Sequence, residues 1–186
     1  GFVGTVNFGM ALHPDRDVLL LNSDVEVANS DWLERMRLAA YRHERVASLT
    51  PFSNNATICS FPHFCQDNAL FAELDVNALD RLFSTLPLED ELVEVPTGVG
   101  FCMYIRRDCL DAVGYFDEQT FGKGYGEEND WCQRAIAAGY ENVHVDNLFV
   151  YHKHGGSFPS EEKQRLLKEH SDALLRKHPD YNKDTA

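Results

Sequence analysis

The feature that most constrains this chain is an alternation of short apolar runs with amphipathic stretches. Asp17-Val18-Leu19-Leu20-Leu21-Asn22 is apolar between polar ends, as a strand covered on both faces would be. Ser30 precedes a helical pattern over 31–43, in which Leu33, Met36 and Ala40 share a face. A second strand is predicted from Val46 to Thr50, ended by Pro51. A long polar loop over 51–65 and a helix over 68–83 follow. The rest reads as a strand within 93–106, a helix over 108–113 stopped by Gly114, a helix over 127–138 stopped by Gly139, and a strand over 142–151. Ser160 opens a last amphipathic helix with Leu166, Leu167, Ala173 and Leu174 inward, and Pro179 follows it. Near the start, 7–13 reads as a short helix or helix end stopped by Pro14. This order predicts an α/β chain, a three-layer α/β/α sandwich. Its body would run over 1–158, with a C-terminal helix and tail over 159–186.

Composition narrows the function classes. A chain of 186 residues suffices for one domain with a real core. Its net charge of -13 argues against a nucleic-acid partner, which needs a basic face. It does not argue against an anionic ligand, because a bound divalent cation inverts the local field. Five cysteines, an odd number with no C-x-x-C spacing, fit neither a disulfide framework nor a structural zinc site. Reduced thiols, no visible signal peptide and no apolar run near ~18 residues lead to the expectation of a cytoplasmic protein. Peripheral association with the inner face of a membrane is compatible with that. Gly1-Phe2-Val3-Gly4 reads like the inside of a domain, so the expectation is a piece of a larger parent chain with other domains.

Three clusters can carry chemistry. Asp24-Val25-Glu26 follows the first apolar run directly, where open α/β sheets bind ligands. In extended backbone Asp24 and Glu26 project to one side and can share a hard cation, Mn²⁺ or Mg²⁺, which prefers few carboxylates plus phosphate oxygens. The plainer reading is two acids that solubilise a turn. Next, Glu127, Glu128 and Asp130 open a helix behind the glycine-rich loop 122–126. Any of the three can serve as a general base, or simply complement the helix dipole. Neither this loop nor Gly98-Val99-Gly100 matches a P-loop or a dinucleotide fingerprint. Gly98 and Gly100 would let another group approach the backbone. Last, His152-Lys153-His154 ends the final strand. A neutral imidazole there can join a metal, and a basic group can steady a leaving diphosphate.

Taken in order, these segments resemble the inverting glycosyltransferases of family 2, with the GT-A fold. Asn7-Phe8-Gly9-Met10-Ala11 resembles the family's N-x-G-x-A/N segment, and Leu20-Leu21-Asn22-Ser23-Asp24 with Trp32-Leu33 its L-L-N-S-D motif and following W-L. The segment 97–107 resembles the acceptor-side strand before G-x-F-D, here Gly114-Tyr115-Phe116-Asp117. The segment 126–135 resembles the G-E-D-x-D-x-x-x-R helix. The resemblance implies a mixed sheet and a metal held by Asp24, Glu26 and His152. It implies a nucleotide-diphospho-sugar donor contacted by Asn7, Ser23, Asp24, Glu26 and His154. Gly98, Gly100, Tyr125 and Trp131 would stand on the side of a glycan or glycolipid acceptor. Glu128 falls at the usual base position, with Glu127 and Asp130 as rivals. Two departures stand out: Glu26 replaces the second aspartate of D-x-D, and Glu127-Glu128 replaces E-D. The family's first strand and nucleoside-binding residues normally precede the match, so the expected fold is N-terminally incomplete. The loops 121–126 and 51–65 would form a lid or acceptor wall. Two other classes remain open: a glycoside hydrolase, which needs two carboxylates but no metal, and a non-catalytic sugar-binding domain.

Overall fold

The computed structural model describes residues 1–88, 92–153 and 161–184. Its elements run α1 (Phe2–Ala11), β1 (Val18–Leu21), β2 (Val25–Val27), α2 (Trp32–Ala40), β3 (Val46–Phe52), α3 (Val76–Phe83), β4 (Cys102–Ile105), α4 (Arg107–Val113), α5 (Glu118–Phe121), α6 (Glu127–Ala137), β5 (Glu141–His152), α7 (Glu161–Lys177) and α8 (Tyr181–Asp184). The strands form one five-stranded sheet in the order β1-β4-β3-β5-β2. β3 and β5 are parallel and the other neighbours antiparallel, so the chain is a mixed α/β protein. No helix among the described residues is long and apolar enough to cross a membrane.

Strand alternation divides the core. On β4, Met103 and Ile105 join one cluster, with Val3 and Met10 of α1, Leu110 of α4, Phe121 of α5, Trp131 of α6 and Leu174 of α7. Cys102 and Tyr104 join another, with Met36, Ala39 and Ala40 of α2 and Val143, Val145 and Val150 of β5. Because successive strand residues point to opposite faces, both faces of the sheet carry helices. A third cluster ties α3 to β5 through Leu79, Phe83 and Phe149.

Several elements differ from the sequence reading. β1 is an edge strand and only half-buried: Val18 and Leu20 pack on one face, Leu19 on the other, and Leu21 is exposed. Helix α2 buries Arg35, Met36, Ala39 and Ala40, while Leu33 stays exposed. The reason is electrostatic: Arg35 turns inward to Asp80, a carboxylate with no exposed surface, at 2.5 and 3.1 Å. The predicted helix over 68–83 is confined to α3, because Asp75 caps it by accepting from the Ala78 N–H at 2.7 Å. Leu167 is exposed, whereas Leu166, Ala173 and Leu174 are buried. Ser160 lies outside the described residues.

Candidate functional site

A cavity of about 820 Å³ runs along β1 between α1 and the start of α6. Asn22, Gly100, Tyr125, Glu127, Glu128 and His152 all line it. These residues come from four stretches of chain, and the sheet order explains how they meet. β1 and β2 lie at opposite edges of the sheet, so residues 22–24 cross over it between them. The crossing is pinned at both ends. Asn22 donates its N–H to the Phe101 carbonyl at 2.9 Å, and Lys153 donates to the Asp24 carbonyl at 2.9 Å.

The pinning delivers Asp24 to the end of β5, where its Oδ1 lies 3.5 Å from His152 Nε2. The His152 ring stacks on Phe101, with centroids 5.3 Å apart. Its Nδ1 lies 2.7 Å from the Asn55 carbonyl oxygen. A carbonyl only accepts, so the proton sits on Nδ1 and, in the neutral ring, Nε2 keeps its lone pair toward Asp24. One carboxylate and one imidazole nitrogen are the donor set a transition-metal dication accepts.

Glu26 is not brought to this pair. β2 begins at Val25, and Val25 and Val27 pack into the sheet's inner cluster. Period-two geometry then sends Glu26 to the other face, exposed and level with Tyr151. Among the described residues no group of three or more His, Cys, Asp or Glu is placed to hold a metal together. The expected three-ligand set is thus represented by Asp24 and His152 alone. His154 lies outside the described residues.

The other wall is built by the start of α6. Gly124, Tyr125 and Gly126 all have positive φ, at 97°, 71° and 114°. This left-handed run, easiest for glycine, bends the loop sharply into the helix and puts Tyr125 on the cavity. Glu127 and Glu128 then enter side by side on the cavity. Each also has an Oε2 that is buried without a hydrogen-bond partner. Burial, then the neighbouring Glu128, push the Glu127 carboxyl up to about 8. Burial raises Glu128 as well, but backbone N–H groups, including that of Gly100, favour its ionised form. Both carboxyls are thus pushed toward the protonated form, Glu127 by burial and then by its neighbour Glu128. Gly100 lies beside Glu128: a Cβ there would stand 3.4 Å from Glu128 Oε1, an ordinary contact.

The remaining predicted site residues have other surroundings. Asp130 has no exposed surface and lies 2.6 Å from Lys177, 2.9 Å from His178 and 2.9 Å from Arg134. Burial pushes its pKa up, but those bonds outweigh burial and leave it lowered. It anchors α7 to α6, which leaves it unsuited to be a base. Trp131 is fully buried, donates Nε1–H to the Gly114 carbonyl at 2.8 Å, and does not line the cavity. Gly98 packs inward, its N–H donating to Cys132 Sγ at 3.1 Å. Asn7 spends its amide on the Phe116 backbone, donating at 2.9 Å and accepting at 3.1 Å. Ser23 is exposed beside Asp24.

In the loop 51–65, residues 62–65 are exposed while the first part packs into the fold. Ser53, Asn54, Ala56, Cys59 and Ser60 are buried, and Asn54 is clamped to the His152 backbone. Sequence reasoning passed over Asn54, Asn55 and Phe101; the available signal was an Asn-Asn pair directly after a predicted strand. The loop 121–126 does contribute a wall, through Lys123, Gly124 and Tyr125. Compared with known proteins, the chain matches no family model and no curated protein.

Proposed function

We propose that this chain is the metal- and sugar-handling part of an inverting glycosyltransferase of GT-A type, moving a sugar from a nucleotide-diphospho-sugar to a hydroxyl of a glycan or glycolipid. One observation carries the reading: a single cavity is lined both by a carboxyl pair and by an imidazole that lies beside a carboxylate. A one-step displacement needs a base at one end and charge neutralisation at the other. Asp24 and His152 would hold the cation, and a ligand nitrogen favours Mn²⁺ over Mg²⁺. Bound there, the cation would supply charge neutralisation for the departing diphosphate.

The chain's own residues do the rest. Glu128 would take the proton of the acceptor hydroxyl. Glu127, pushed up to about 8, would keep its proton beside it. Tyr125 and Lys123 wall the cavity beside the pair. A glycoside hydrolase fits less well, because its two carboxylates face each other across the sugar at about 5–9.5 Å. Glu127 and Glu128 instead stand side by side on one wall.

The test is a screen of nucleotide-sugars with Mn²⁺ against the protein, reading released nucleoside diphosphate. Glu128→Gln is expected to lose about 10²–10⁴-fold in turnover with Mn²⁺ binding unchanged. Transfer by that variant at the wild-type rate would refute the base assignment.

A further inference from the structure

We infer that Asn54 is a positioning residue: by clamping the backbone at His152 it holds the imidazole as the Nδ1–H tautomer, with the Nε2 lone pair presented to a divalent cation beside Asp24. The inference rests on the metal-site reading above and adds residues that reading does not use.

The clamp is two-sided. Asn54 Nδ2 donates to the His152 carbonyl at 2.9 Å, and the His152 N–H donates to Asn54 Oδ1 at 2.8 Å. A side-chain amide thus continues the sheet's ladder at the last residue of β5. Asn54 has no exposed surface, and exchanging both bonds fixes the His152 main chain relative to the loop. The next carbonyl along that loop, Asn55, accepts the His152 Nδ1–H at 2.7 Å. One dipeptide therefore sets both the position of the backbone and the tautomer of the ring.

The loop is itself held rigid. Asn68 donates its backbone N–H and its Nδ2 to the Asn54 carbonyl, each at 3.0 Å. Phe101 covers one face of the imidazole. The ring is left little freedom to rotate, and its other nitrogen lies 3.5 Å from the Asp24 carboxylate. Groups that fix a ligand histidine through its other nitrogen typically change metal affinity 10–100-fold when removed.

Histidine-selective ¹⁵N NMR of the metal-free protein, at a pH where imidazole is neutral, reads the tautomer directly. The wild type is expected to show His152 with its proton on Nδ1. Asn54→Ala is expected to shift His152 toward Nε2–H and to raise the Kd for Mn²⁺ alone on the order of 10-fold. An unchanged tautomer in a folded Asn54→Ala variant overturns the inference, as does a wild-type ring protonated on Nε2 only. If Asn54→Ala does not fold, Asn54→Ser keeps a hydroxyl able to make one of the two bonds. That variant should show the smaller shift of the same sign, and no shift overturns the inference. A correct wild-type tautomer with no paramagnetic broadening by Mn²⁺ would instead refute the metal reading and leave the positioning role standing.

Discussion

Glu127→Gln tests the carboxyl pair through stability, with no substrate required. In the folded protein Glu127 is pushed up to about 8 from an ordinary 4.5. Between those two values the folded state binds a proton that the unfolded chain has released. Stability therefore falls as pH rises through this window; the contribution is complete below about 4.5 and gone above about 8. Each pH unit across the window is worth about 1.4 kcal/mol, which sets a ceiling on the order of 5 kcal/mol. Lys123, Tyr125 and His152 line the same cavity, and Cys132 and Tyr181 lie within the field of Glu128. These groups are common to both proteins and cancel in a difference. Glutamine keeps the volume and mimics the neutral acid. Urea unfolding at intervals from pH 5 to 9 should show the variant matching the wild type near pH 5. At pH 9 it should exceed the wild type by several kcal/mol. Parallel curves would refute the reasoning, because they would mean that Glu127 titrates alike in the folded and unfolded chain.

Three further outcomes are expected. Asp24→Ala should abolish Mn²⁺ binding measured by calorimetry, while Glu26→Ala should leave it unchanged; the reverse would restore the D-x-E reading. Asp130→Ala removes the partner of Arg134, Lys177 and His178 and should cost about 3–5 kcal/mol at pH 7, seen as a fall in Tm. Because the pKa of Asp130 is lowered, its contribution is present above the ordinary 3.8 and lost on acidification below it. Trp131→Ala should destabilise by about 3–5 kcal/mol in urea, as expected of a core residue. A stable Trp131→Ala variant with weakened acceptor binding would return Trp131 to the acceptor side.

Periodicity made much of the fold legible. Apolar runs near 18–21, 46–50 and 142–151 are strands, and the patterns near 127–138 and 161–177 are helices. Such signals are local: a strand or helix must bury one face, and its spacing records which. On α2, Met36 and Ala40 were legible as inward, but the burial of Arg35 was not, because it depends on Asp80, 45 residues away. The site was legible in part. Asp24, Glu127, Glu128 and His152 were recognisable as groups capable of chemistry. Glu26, Asp130 and Trp131 were equally plausible on residue type and spacing, and only packing separates them. Glu26 follows the alternation set by Val25 and Val27, Asp130 meets α7, and Trp131 enters the core.

By itself, then, the sequence determined a mixed α/β chain, acidic and without an apolar run of membrane-spanning length, and the short list of groups from which a site could be built. The tertiary structure decided membership. It laid residues 22–24 across the sheet so that Asp24 reaches His152, and placed Asn54 and Asn55 behind that ring. It also put two glutamates against each other on the opposite wall of the cavity. The physical reason is that residue type and periodicity are carried along the chain. Burial, tautomer and carboxyl–carboxyl contact instead depend on neighbours that only the folded sheet brings together.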